Sequence, residues 1–156
     1  IQEMNTIRKH LSGIKGGQLA RLAAPSRVLT FILSDVIGDN PTSIASGPTA
    51  PDDSTFRNAL DIVRAYDLSE KLPKRVLVRL EKGVAGEIQE TPGHEDVLFN
   101  RVFFRFIGSN QIALNAASQK AADLGYHPLI LANAVQGEAR EIAKFLATIA
   151  KQPKTN

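Results

Sequence analysis

A chain of 156 residues, 43% hydrophobic and 22% charged, has the size and balance of one globular domain with its own core. It lacks cysteine, which excludes a disulfide framework and thiolate metal sites, and no apolar run approaches the ~20 residues of a membrane helix. A net charge of +3 spread among acids, with only 6% aromatic residues, argues against base-stacking nucleic-acid surfaces and for a mildly basic cleft that takes a small anion; a cytoplasmic setting with no membrane partner fits.

Taken in chain order, Met4, Ile7 and Leu11 at helical spacing predict an amphipathic helix over 2–11. Ser12-Gly13 breaks it, and Gly16-Gly17 precedes a second short helix ending at Ala23, stopped by Pro25. "RVLTFIL" (27–33) is the strongest strand signal. A long loop over 34–54 follows, of the kind that persists in compact domains mainly where it carries function. Ser54 is expected to cap a helix over 55–66, with Leu60 and Val63 facing inward. The next helix has Pro73 in its first turn and stops at Gly83. Residues 83–100 read as irregular, "RVFFRFIG" (101–108) as a second strand, and Ser109 or Asn110 as the cap of an Ala-rich helix reaching Leu124. "HPLILAN" (127–133) reads as a third strand and 137–151 as the last helix. The alternation predicts a three-layer α/β/α fold with a mostly parallel, Rossmann-like sheet, its strands near 28–33, 102–107 and 128–132, the last two parallel. An opening Ile1 already inside a helix and a polar, linker-like end mark the chain as a stretch of a longer protein, so the sheet is expected to be incomplete.

The segment "SDVIGDNPTSIASGPTAPD" (34–52) places Ser34, Asp35 and Asp39 just beyond the first strand's carboxyl end, where ligands bind in open α/β sheets. Two carboxylates four residues apart suit Mg²⁺, general-base work on a hydroxyl, or a contact to a substrate hydroxyl; turn capping accounts for the same residues. "SGPT" (46–49) offers Ser46, Gly47 and Thr49 as an anion nest, or as plain loop punctuation. "RKHLSGIKGG" gathers Arg8, Lys9 and Lys15 before Gly16 and Gly17 at a helix start, a ready phosphate site, or a solvated helix face with a linker. It lacks the GxxxxGK[ST] spacing of a P-loop. Ser109 and Asn110 open one helix and Glu138 another, where an anion could rest or where capping suffices. His94 and His127 show no metal-ligand spacing and read as structural.

In this order, "NTIRKHLSGIKGGQLA", "SDVIGDNPTSIASGPTAPDDSTF", "IGSN" and "GEAR" resemble the glycerate kinases that make 2-phosphoglycerate, a family long labelled hydroxypyruvate reductases. The resemblance spans nearly the whole chain and is weakest over 66–100. It covers only the middle of that family's longer chain, without the glycine-rich N-terminal portion that carries a catalytic lysine and without the C-terminal domain. Residues 1–156 are therefore expected to be a partial α/β kinase domain. The resemblance implies ATP and Mg²⁺ as cofactors, glycerate as substrate, and Asp35 and Asp39 as catalytic or Mg²⁺-binding residues. Arg8, Lys9 and Lys15 would offset phosphate charge at the same cleft; a homodimer is compatible. A reductase using NAD(P)H, or a non-catalytic sugar-acid-binding module, are the alternatives, although no GxGxxG follows a strand.

Overall fold

A computed structural model describes residues 1–151; the last five residues of the polar end lie outside them. The chain divides into two compact units, Ile1–Ala113 and a second beginning at Leu114. Among the described residues no helix is long and apolar enough to cross a membrane.

The first unit combines a helical cluster with a parallel sheet. Helices α1 (Gln2–Leu11), α3 (Phe56–Ala65) and α4 (Lys74–Val84) pack around Phe56, Ala59, Leu60, Val63 and Leu80, with Ile7 and Leu11 against them. Met4, the third member of the expected stripe, stays exposed, and the fully buried residues of α1 are polar: Asn5, Lys9 and His10. One side of α1 thus faces the apolar core and another feeds polar side chains into the interior. His10 makes the junction: its Nδ1–H donates to the Thr6 carbonyl at 2.8 Å and its ring packs edge-to-face with that of Phe56, the centroids 4.7 Å apart. Thr55, not the expected Ser54, caps α3. Its hydroxyl accepts from the Asn58 N–H while the Asn58 side chain accepts from the Thr55 N–H, a reciprocal capping box. Ser54 was unavailable because both its N–H and its hydroxyl donate to Asp52. Pro73 precedes α4 as its N-cap residue.

Strands β1 (Val28–Leu33) and β2 (Val102–Gly108) pair in parallel, with Val28 opposite Val102 and a register shift just before Leu33–Gly108. The long connection between them, with α3 and α4, is what a parallel pair requires. The α/β class and the parallel sheet are as the sequence predicts, but among the described residues the sheet has two strands and the parallel partners are β1 and β2. Residues 127–133 form no strand. An apolar run becomes a strand only where a neighbouring edge takes up its N–H and C=O groups, and Leu129 and Leu131 remain exposed.

In the second unit lie the body of α5 (Asn110–Asp123) and all of α6 (Ala139–Lys151). Glu138 precedes α6, and its carbonyl accepts from Glu141 and Ile142.

Candidate functional site

Parallel pairing brings the two expected strand-end motifs side by side. The Ser34 N–H donates to the Gly108 carbonyl at 2.9 Å, so the loop leaving β1 and the turn into α5 begin at the same sheet edge. Ser34 is buried, and its hydroxyl bonds Val36 at both N–H and carbonyl. Ser109 is buried too, its hydroxyl accepting from the Ile112 N–H as a helix cap; Asn110 begins α5 and is exposed.

Beyond Ser34 the loop is exposed and turns sharply. Asp35 is exposed and Asp39 half-buried, at either end of a turn closed by the Asp39 N–H on the Val36 carbonyl at 3.1 Å. Asp39 has φ +49°, a left-handed conformation uncommon outside glycine, although tolerated by aspartate. Among the described residues the carboxylates of both accept no hydrogen bond and form no ion pair, unlike that of Asp52. They are available to an outside ligand. Among the described residues no three His, Asp or Glu side chains group to hold a metal.

The second half of the loop is strained and heavily fastened. Ala45, Ser46 and Gly47 have φ of +52°, +63° and +59°, three left-handed residues in succession. For the two non-glycines this costs roughly 1–2 kcal/mol each. Hydrogen bonds from the segment after α1 and from the start of the short helix α2 (Gln18–Ala23) hold it: the N–H groups of Gly16, Gly17 and Leu19 donate to the carbonyls of Ser46, Gly47 and Pro48 at 3.0, 2.8 and 3.1 Å. The Ser46 hydroxyl donates to Asn5 Oδ1 at 2.9 Å inside the protein, and Lys15 Nζ donates to the Ala45 carbonyl at 2.9 Å. Thr49 is buried and shares a hydroxyl bond of 2.8 Å with Thr30. Between this half-loop and β1 lies an apolar pocket of about 340 Å³, lined by residues that include Leu19, Ile32, Ile44 and Pro48.

The expected basic cluster is divided. Lys15 reaches the loop. Arg8 is exposed and bonds Asn5 Oδ1 at 3.3 Å. Lys9 differs from the anion-facing cation expected of it: its side chain is only 10% exposed, and Nζ is spent on Asp52 Oδ1 at 3.0 Å. Gly16 and Gly17 also differ from an open phosphate cradle, since their N–H groups are taken by the loop carbonyls. Their glycine identity has a packing cause. A Cβ on Gly17, at φ +77°, would come within 2.8 Å of the Pro92 ring and 3.0 Å of the Ala50 carbonyl; one on Gly16, at φ +57°, would come within 3.0 Å of Asp52 Oδ2. Glu138 belongs to the second unit.

The residue that sequence reasoning passed over is Asp52. Its side chain is 1% exposed and accepts from Lys9 Nζ, from the Ser54 N–H and hydroxyl at 3.1 and 2.7 Å, and from the Thr91 hydroxyl at 3.1 Å. Burial alone pushes its carboxyl pKa up, but the Ser54 and Lys9 hydrogen bonds and the lysine charge together outweigh that and hold it below the ordinary aspartate value. In sequence, Asp52 looks like one of two adjacent loop aspartates; the lysine that distinguishes it lies 43 positions away.

The family described as "Domain of unknown function (DUF4147)" matches residues 1–81, half of the chain. The chain belongs to this family. It is 45% identical over 150 residues to a protein of Agrobacterium vitis named "Putative hydroxypyruvate reductase", covering 96% of this chain and 32% of that one. It is 40% identical over 152 residues to the glycerate 2-kinase of Pyrococcus horikoshii, with 97% and 34% covered. The solved structure of a glycerate kinase from Thermotoga maritima superposes with a TM-score of 0.77 at 36% identity, over 97% of this chain and 33% of that one. The chain thus spans about a third of the length of these relatives.

Proposed function

We propose that this chain is part of a glycerate kinase that transfers the γ-phosphate of ATP to D-glycerate, giving 2-phosphoglycerate. The observation that carries the reading is the likeness to glycerate kinases in both sequence and structure over nearly the whole chain. The sheet edge supports it, because phosphoryl transfer asks a protein mainly for positioning and charge stabilisation. Asp35 and Asp39 offer carboxylates not committed to other groups among the described residues, either to accept the glycerate hydroxyl proton or to hold Mg²⁺; bound there, Mg²⁺ would neutralise developing phosphate charge. Lys15, beside the loop, supplies a cation for the substrate carboxylate or a phosphate, and Ser109 and Asn110 place a helix start at the same edge. Arg8 remains exposed to contribute from α1.

A second reading, reduction of hydroxypyruvate by NAD(P)H, is favoured by the name of the Agrobacterium vitis relative. The chain carries no GxGxxG after β1 or β2 to seat a dinucleotide. The two are separated by assaying the complete polypeptide that carries this chain. ATP consumption dependent on glycerate, with 2-phosphoglycerate formed and no NADH oxidation with hydroxypyruvate, supports the kinase; the converse refutes it.

A further inference from the structure

We propose that Asn5, Lys9 and Asp52 are positioning residues that clamp the left-handed Ala45-Ser46-Gly47 turn from behind and so set the geometry of the sheet-edge site; their effect on turnover rests on the kinase reading above. The argument begins with strain. A chain does not keep two non-glycine residues left-handed in succession unless its surroundings over-determine them. Here the surroundings come from α1 and the segment after it. Asn5 holds Ser46 through a buried hydroxyl bond, and Gly16, Gly17 and Leu19 hold the three carbonyls that follow Ala45.

Those three donors are themselves held in place. Gly16 lies against Asp52, Lys9 and Thr91, so closely that a Cβ would meet all three within about 3.1 Å. Asp52 in turn fixes the loop's far end, through its ion pair to Lys9 and through its own N–H, which donates to the Pro92 carbonyl at 2.9 Å. Ser34 anchors the near end on β2. With both ends tied, the exposed stretch carrying Asp35 and Asp39 is the part left free to meet a ligand. The buried polar side of α1 therefore has a purpose that core packing does not supply. A lysine and an asparagine are costly to bury, and here each is matched to one anchor point of the loop.

The test uses the complete polypeptide with Asn5→Leu, Asn5→Asp and Lys9→Met. Two readouts are taken: amide hydrogen exchange over the segment containing Gly16, Gly17 and Leu19, and kcat and KM for glycerate with ATP. Asn5→Leu should accelerate exchange at that segment about tenfold, the scale of one lost buried hydrogen bond, leave the α4 amides unchanged, and lower kcat. Asn5→Asp, which keeps an accepting oxygen, should restore both. Lys9→Met should act in the same direction and more strongly; if it fails to fold, the Asn5 pair decides alone. Unchanged exchange in Asn5→Leu overturns the clamp. Accelerated exchange with unaltered kcat overturns the positioning role. An unmutated polypeptide that does not phosphorylate glycerate refutes the kinase reading instead, and the exchange readout then decides the clamp without it.

Discussion

Three aspartates of one loop have opposite surroundings, and their substitutions should separate accordingly. Among the described residues the carboxylates of Asp35 and Asp39 accept no hydrogen bond, whereas that of Asp52 accepts four. Asp35→Asn and Asp39→Asn should leave the melting temperature nearly unchanged. On the proposed kinase reading, glycerate phosphorylation by the complete polypeptide should fall about a hundredfold in at least one of them, the scale of a lost general base; steady-state rates alongside melting curves check this. Asp52→Asn should do the reverse in stability: it leaves the Lys9 ammonium buried without its counter-charge, a loss of about 3 kcal/mol at neutral pH. The pH dependence follows from the lowered pKa of the folded state. Stability from the Asp52 carboxylate is fully present above the unfolded-state pKa of an ordinary aspartate. It is lost as pH falls through the lower folded-state value. Urea unfolding of wild type and Asp52→Asn should therefore diverge at pH 7 and converge in strong acid.

At the scale of elements, the α3–α4 contact depends on a missing side chain. The Phe56 ring packs directly over Gly83, leaving no room for a Cβ. Gly83→Ala would gain up to about 1 kcal/mol of helix propensity. Overpacking a core that contains Phe56 and Leu80 costs about 1–3 kcal/mol. The steric term wins, so Gly83→Ala should lower the denaturation midpoint, and pairing it with Phe56→Leu should recover part of the loss. Periodicity made α1 and α3 legible, Pro73 and Gly83 bracketed α4, and apolar runs made β1 and β2 legible, because these signals are local. What was not legible depends on pairing at a distance. Residues 127–133 carry a strand's composition but form no ladder pairing, Ser54 was claimed by Asp52 before it could cap α3, and Lys9 found a buried partner far along the chain. The site divides the same way. The sheet-edge placement of Ser34, Asp35 and Ser109 followed from the strands, whereas the fastening of the 45–47 turn by Gly16 and Gly17 is visible only in three dimensions.

At the scale of the whole molecule, the sheet leaves one apolar face uncovered among the described residues. Along β1 the side chains alternate, and Leu29, Phe31 and Leu33 share the exposed side; Phe31 is 61% and Leu33 74% exposed. In the parallel register Phe103 of β2 stands opposite Leu29 and is exposed as well. A contiguous apolar face on a two-stranded sheet also has ladder edges open for pairing, and both features favour association with another chain or segment. By itself, the 156-residue chain should therefore self-associate in proportion to its concentration. Replacing Phe31 and Leu33 together by lysine puts two charges on that face without touching the α1 clamp or the loop carboxylates. Sedimentation velocity should then show the oligomer giving way to monomer, and binding of an apolar dye should fall, while far-ultraviolet circular dichroism stays as in the unmutated chain. A chain that is already monomeric at high concentration and binds no dye would mean that these side chains are covered, and the face would have to be assigned to the protein's own interior.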